Sequence, residues 1–196
     1  MNSIDILVLG HLERNEDGSV KPNDTWSSST LIRTDDGHNI VVDTSRKFML
    51  PAIKTSLKQI GKVFPEDIDI IVLTHAHSDH IENNGLFKNA KIYLHKDEEC
   101  DVPGIIRIDK ETQIAKGVRI VPTPGHTMGC VSVFVDSDKH YAIVGDAMPL
   151  QDNYIKRKIP ATHVDADLAE QSMKKIIAYA DIIVPGHDQP FSVNKH

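Results

Sequence analysis

The stretch T-H-A-H-S-D-H, residues 74 to 80, constrains this chain more than any other. It places four potential metal ligands, His75, His77, Asp79 and His80, within six positions. It follows D-I-D-I-I-V-L, an apolar run rich in β-branched residues that reads as a buried strand. Ionisable groups this dense cannot continue a core strand, so the strand is expected to end here. Side chains two apart on an extended chain point to the same side. His75 and His77 can therefore grip one cation together. The chain then turns, and Asp79 and His80 swing toward a second position. Imidazole nitrogen with carboxylate oxygen suits zinc or another first-row divalent metal. The chain holds 11 His in 196 residues, so one isolated pair would mean little, but three His and an Asp after a strand mean more.

Length and charge bound the remaining possibilities. A chain of 196 residues fits one domain with a sizeable core. Aromatic residues make up only 5%, so the core falls to Ile, Val, Leu and Ala. A formal net charge of −6 does not indicate nucleic acid as a partner. No apolar run approaches the length of a membrane span, so no membrane partner is expected. The N-terminus, M-N-S-I-D-I-L-V-L-G, carries an acidic residue and no basic region, and reads as a strand. Cys100 and Cys130 form no C-x-x-C pair and read as core or loop residues. Together these features lead us to expect a cytoplasmic protein.

Along the chain, Ile4 to Leu9 reads as a strand. Gly10 to Asp24 is polar, with Asp17-Gly18 as a turn signal, and reads as a loop or loose hairpin able to act as a flap. His11 and Trp26 sit at its ends. Ser27 to Arg33 and Asn39 to Asp43 form a hairpin by spacing. Asp43 either caps the next helix or lies beneath a metal site. Lys47 to Ile60 carries Phe48, Leu50, Ile53, Leu57 and Ile60 at helical spacing, with Pro51 in its first turn. Strands are expected at 91–95, 105–108, 112–114, 118–121, 131–135, 141–144 and 182–184. His95 reads as a satisfied surface residue. Residues 151 to 163 read as a loop, and Asp165 to Ala180 as an amphipathic helix with Asp165 at its N-cap. Nothing divides the chain, so one domain over residues 1–196 is expected. Periodicity alone supports a mixed α and β class.

Three further sites repeat one arrangement: Pro124-Gly125-His126, Gly145-Asp146 and Pro185-Gly186-His187. In each an apolar strand ends, a glycine lets the backbone turn, and a single ligand type follows. With the first motif this makes five His and two Asp at strand ends.

On these residues the sequence resembles the metallo-β-lactamase superfamily, from the strand ending in Asp43 to the P-G-H near the C-terminus. The resemblance implies an α/β fold, an αβ/βα four-layer sandwich with metals at one edge. It implies two divalent ions, with Zn2+ expected and Fe or Mn as alternatives. His75, His77 and His126 would hold one ion, Asp79, His80 and His187 the other, and Asp146 both. It implies hydrolysis of an ester, thioester, lactone or phosphodiester by water activated between the ions. Asp79 would then orient the nucleophile as well as bind metal, as a catalytic residue.

Subtraction narrows the branch. The nine residues after His187 leave no space for the C-terminal helical domain of glyoxalase II enzymes. The interval between Asp146 and His187 is too short for the inserted domain of nucleic-acid-processing members. Position 77 is His, where flavodiiron proteins carry Glu. The stretches T-H-A-H-S-D-H-I-E-N-N-G-L-F and A-D-I-I-V-P-G-H-D-Q-P-F resemble the compact group around metallo-β-lactamase domain-containing protein 1. A rival comes from G-H-T-M-G-C-V-S-V, which resembles persulfide dioxygenases holding one iron, but their arginine-bearing segment after the G-D site is absent. A non-catalytic metal-binding module is the third reading. For the substrate, Tyr154 is a candidate to hydrogen-bond an oxyanion, Lys156 within Lys156-Arg157-Lys158 to attract an anion, and His163 to face the cleft. For Tyr154 and the basic triplet the ordinary alternative, a packed or solvated loop residue, is the preferred reading, and nothing forces His163 toward the cleft.

Overall fold

The computed structural model describes residues 1–61 and 63–194. Its core is set by strands whose neighbouring residues face opposite ways yet are buried on both sides. One sheet runs β1 (Ser3–Val8), β2 (Ser29–Arg33), β3 (Asn39–Val42), β4 (Ile70–Val72), β5 (Lys91–His95), β6 (Ile106–Ile108) in that spatial order. β1 to β3 pair antiparallel, and β3 to β6 pair parallel. The second sheet contains β7 (Thr112–Ala115), β8 (Val118–Pro122), β9 (Val131–Asp136), β10 (His140–Gly145), β11 (Ile182–Pro185) and β12 (Phe191–Ser192). Only its β10/β11 pair is parallel.

The alternation dictates the layers. Ile32, Ile40, Val42, Ile70 and Val72 face across to Ile120, Val131, Val133, Val135 and Ile143, filling the space between the sheets. Their neighbours Leu31, Val41 and Ile71 point outward and meet Ile53 and Leu57 of helix α1 (Leu50–Gly61). On the far side, Phe134, Ala142, Val144 and Ile183 meet Met173, Ile176 and Ala180 of and just beyond helix α4 (Ala166–Tyr179). The result is helix, sheet, sheet, helix, the αβ/βα sandwich the sequence implied. Each fully buried Ile or Leu here contributes about 1.5–3 kcal/mol. Among the described residues no helix is long and apolar enough to cross a membrane.

Several local readings change. Residues 151–163 are not all loop, because Gln151–Lys156 forms a short helix, α3. Its start is held by the Asn153 side chain, which accepts from the Leu150 N–H at 3.0 Å. Residues 78–81 form a single helical turn, α2, carrying Asp79 and His80. β12 carries no signal a two-residue strand can show. His95 is buried, not a surface group, and its Nδ1 accepts from the Asp97 N–H at 3.3 Å. Residues 10–26 fold as a loose hairpin, bridged at His11–Trp26 and Arg14–Val20.

Candidate metal centre

The seven ligand-type residues lie together at one edge of the two sheets. β4 delivers His75 and His77 and leads into α2. The turn after β8 delivers His126, the end of β10 delivers Asp146, and the end of β11 delivers His187. Thr74 stitches the sheets here, its carbonyl accepting from the Val131 N–H at 2.8 Å. Two glycines permit the approach. Gly145 has φ +49°, and a Cβ there would lie 2.4 Å from Thr74 Oγ1. Gly186 is needed for space alone: a Cβ would lie 2.3 Å from Asp146 Oδ1.

Two groups of donor atoms result. In one, Nε2 of His75 lies 2.9 Å from Nδ1 of His77, which lies 3.1 Å from Nε2 of His126. In the other, Nε2 of His187 lies 3.5 Å from Asp79 Oδ2, and Nε2 of His80 lies 3.9 Å from the same oxygen. Asp146 faces both. Its Oδ2 is 3.5 Å from Nε2 of His126, while its Oδ1 is 3.1 Å from Nε2 of His187 and 3.4 Å from that of His80.

The outer ring nitrogens are fixed by their partners, and this decides where the lone pairs point. Nδ1 of His126 meets the Thr162 carbonyl at 2.8 Å, and Nδ1 of His187 the Trp26 carbonyl at 2.9 Å. A carbonyl only accepts, so both Nδ1 atoms carry a proton and Nε2 is the ring nitrogen that each histidine turns inward. Asp43 does not cap a helix; it lies beneath the site. Its Oδ2 accepts from Nδ1 of His80 at 2.8 Å and from the Thr74 hydroxyl at 2.7 Å, and its Oδ1 from the Thr74 N–H at 2.8 Å. The Thr74 hydroxyl thus spends its one proton on Asp43 and can only accept from Nδ1 of His75, 3.1 Å away. One carboxylate thereby orients a histidine in each group.

Burial and charge set the protonation. Burial lowers His75 well below the usual imidazole value, with help from the positive charge of His80. Burial and then His126 lower His77. For His80 burial also pulls down, but the Asp43 and Asp146 carboxylates outweigh it and hold the group well above its usual value. Burial opposes but does not overcome Asp146 at His187, which is also raised. Asp146 itself is held well below the carboxylate range, since His187 and His80 outweigh its burial.

The donor set fits divalent metal. Nε2 of His80 and Oδ1 of Asp146 are buried polar atoms without a hydrogen-bond partner among the described residues. Such orphans are costly unless something else binds them. His75, His77, His126 and Asp146 offer ligand atoms within 4.8 Å of one another, and so do Asp79, His80 and His187. Nitrogen and carboxylate oxygen in this mixture suit zinc, iron or manganese.

A cavity of about 180 Å³ opens onto His77, Asp79, His126, Asp146 and His187, walled by Leu12, Val20, Pro149, Pro160 and Ala161, with Arg14 also in its lining. The three candidate substrate residues are not brought to it. The Tyr154 ring stacks on Phe191 at 5.4 Å, and its hydroxyl accepts from the Asn194 N–H at 3.0 Å. Lys156 pairs with Asp152 and lines a neighbouring cavity. His163 is exposed, with Nδ1 2.8 Å from the Pro160 carbonyl, and lies against an outer depression.

Other groups carried no signal in the sequence. Glu98 is buried; its Oε2 accepts from the Ala76 N–H at 2.8 Å and its Oε1 from the Thr127 hydroxyl at 2.5 Å. It thus ties the loop between His75 and His77 to the residue after His126. Thr162, which orients His126, and Arg14 were equally silent.

Comparisons with known proteins agree with this architecture. Residues 24–96 match the family model of the metallo-beta-lactamase superfamily. A probable metallo-hydrolase of Methanocaldococcus jannaschii is 42% identical over 149 residues, covering 76% of this chain and 70% of the relative. Metallo-beta-lactamase domain-containing protein 1 of Xenopus laevis is 31% identical over 170 residues, covering 80% and 69%. An N-acyl homoserine lactonase of Bacillus cereus is 29% identical over 156 residues, covering 69% and 62%. Among solved structures, a metallo-beta-lactamase of Thermotoga maritima superposes with a TM-score of 0.78 at 20% identity, covering 97% and 99%. The chain belongs to the metallo-β-lactamase superfamily, as a hydrolase of that fold.

Proposed function

We propose that the chain is a dinuclear, zinc-dependent hydrolase of a small ester, thioester or lactone. The observation that carries this reading is Asp146, whose two oxygens each face a different group of ligand nitrogens. In this reading His75, His77 and His126 would hold one ion, Asp79, His80 and His187 would hold the second, and Asp146 would serve both. Bound there, divalent cations supply a water of pKa near 7 and positive charge for the developing oxyanion.

The chain's own residues do the rest. Asp79 faces the cavity from α2 and accepts a hydrogen bond from the attacking water, which orients it. Asp43 and Thr74 hold His80 and His75 in the tautomers that present Nε2 inward. The apolar walls from Leu12, Pro149 and Pro160 limit competing solvent around the scissile bond. A cavity of about 180 Å³ supports a small substrate over a nucleic acid strand. Similarity to the Bacillus cereus lactonase supports a carbonyl centre over phosphorus.

Metal analysis joined to a substrate panel tests the reading. Purified protein should hold two equivalents of zinc and hydrolyse an ester, thioester or lactone. Asp146→Asn should lower the metal content and the activity together. One iron per chain, with oxygen uptake on glutathione persulfide and no hydrolysis, would overturn it.

A further inference from the structure

We propose that Arg14 and Lys158 form an anion-binding subsite beside the metal cavity, so that the substrate is a small ester bearing a carboxylate or phosphate group. This rests on the hydrolase reading and assigns its substrate class.

The hairpin of residues 10–26 is tied down at several points. The Trp26 indole N–H donates to the Leu9 carbonyl at 2.9 Å, and the Lys21 N–H to the Glu13 carbonyl at 2.9 Å. It carries Arg14 to the wall shared by two adjoining cavities, the metal cavity and a second of about 250 Å³. Arg14 donates from Nη1 to the Gly18 carbonyl at 2.7 Å, which fixes one end of the guanidinium. A guanidinium has five N–H donors, so most of its capacity is left over. Among the described residues it forms no ion pair.

The second cavity receives the basic triplet selectively. Lys156 is neutralised by Asp152. Arg157 turns away, its guanidinium 4.8 Å from the Tyr154 ring centre. Lys158 remains on the cavity wall and forms no ion pair among the described residues. Two uncompensated positive charges, 144 positions apart in sequence, therefore meet one cavity in a chain of net charge −6. Scattered surface cations are common, but Arg14 lines the metal cavity as well, and Lys158 lines the cavity that adjoins it. Leu12, Pro149 and Ile159 line the same cavity and suit a short carbon chain. A substrate spanning both cavities would place its carbonyl at the metals and its anion on Arg14, where a planar fork pairs well with carboxylate or phosphate.

The test uses the zinc-loaded protein and three esters with one leaving group: 4-nitrophenyl hexanoate, mono-4-nitrophenyl adipate and 4-nitrophenyl 5-phosphonopentanoate. The wild type should prefer one or both anionic esters in kcat/KM, chiefly through KM. The better anionic arm tells carboxylate from phosphate. Arg14→Gln should cut the anionic-to-neutral ratio roughly 10- to 100-fold, Lys158→Gln should cut it less, and Arg14→Lys should restore part. Arg157→Gln should keep the ratio. Equal handling of all three esters by the wild type, or a ratio unmoved by Arg14→Gln, would overturn the subsite. Failure to hydrolyse any ester would count against the hydrolase reading instead. In that case calorimetric titration with adipate and with inorganic phosphate decides the subsite: binding lost in Arg14→Gln upholds it, and no binding by the wild type overturns it.

Discussion

Asp43 accepts a hydrogen bond from Nδ1 of His80 at 2.8 Å, and both side chains are buried. Its other hydrogen bonds among the described residues also come from donors: the Thr74 N–H and the Thr74 hydroxyl. Asp43→Asn replaces one acceptor oxygen with an NH2 facing donors. The buried mismatch should cost about 1–3 kcal/mol of stability. Loss of such an orienting carboxylate typically lowers metal affinity 10- to 100-fold. Chelator competition and thermal unfolding check the two effects. Wild-type zinc affinity in Asp43→Asn would show that His80 needs no such anchor.

Glu98 predicts a more selective defect. It holds the Ala76 N–H, between His75 and His77, and the Thr127 hydroxyl, beside His126. All three of those histidines belong to one donor group. Glu98→Ala leaves the Ala76 N–H without its acceptor and loosens that group alone. If the chain binds two ions as proposed, equilibrium dialysis should show one of them weakened by about 10- to 100-fold, with the other retained. Equal weakening of both would mean that Glu98 acts through general stability.

How much of the fold and site was legible in the sequence depends on how far each interaction reaches. The seven ligand-type residues stood out because each lies just after an apolar strand, and strand and turn chemistry are local. The two helices with clear apolar faces were visible for the same reason, and Asp165 does accept from the Leu168 N–H at 2.9 Å. Helix α3 was hidden because Q-D-N-Y-I-K shows no apolar period, and its start depends on one side-chain bond from Asn153. Glu98 was hidden because its partner is a backbone N–H 22 positions away. Tyr154 looked like a site residue because its loop adjoins Asp146, but its ring follows Phe191 into the core beneath α4. Arg14 gave no signal because a loop arginine becomes meaningful only when the hairpin brings it to the cavity lined by the ligand-type residues.

Gly186 offers a test of space with little change in backbone preference, since its φ is not in the left-handed region. An added methyl would lie 2.3 Å from Asp146 Oδ1 and must displace that carboxylate. Gly186→Ala should destabilise the fold by about 1–3 kcal/mol. Its larger effect should be on metal content, because the displaced group is the one facing both donor groups. Zinc stoichiometry measured beside circular dichroism separates these. A folded variant with full metal content would show that Asp146 tolerates movement.

The pH dependence should differ between the two donor groups. His80 and His187 are raised in the metal-free chain, each by a carboxylate that outweighs burial. The stability they contribute is fully present below the unfolded imidazole value, about 6.5, and is lost as pH rises through their raised folded values. His75 and His77 are lowered, chiefly by burial, so their contribution is present above about 6.5 and lost as pH falls. A metal needs neutral imidazole, so filling the group with His80 and His187 must release protons, whereas His75 and His77 are already held in the neutral form at pH 7. The gap in Tm between zinc-loaded and metal-free protein should therefore widen as pH rises above about 6.5. Calorimetry in buffers of different ionisation enthalpy should detect protons leaving with one zinc and few with the other. Equal proton release for both ions would contradict the raised state of His80 and His187.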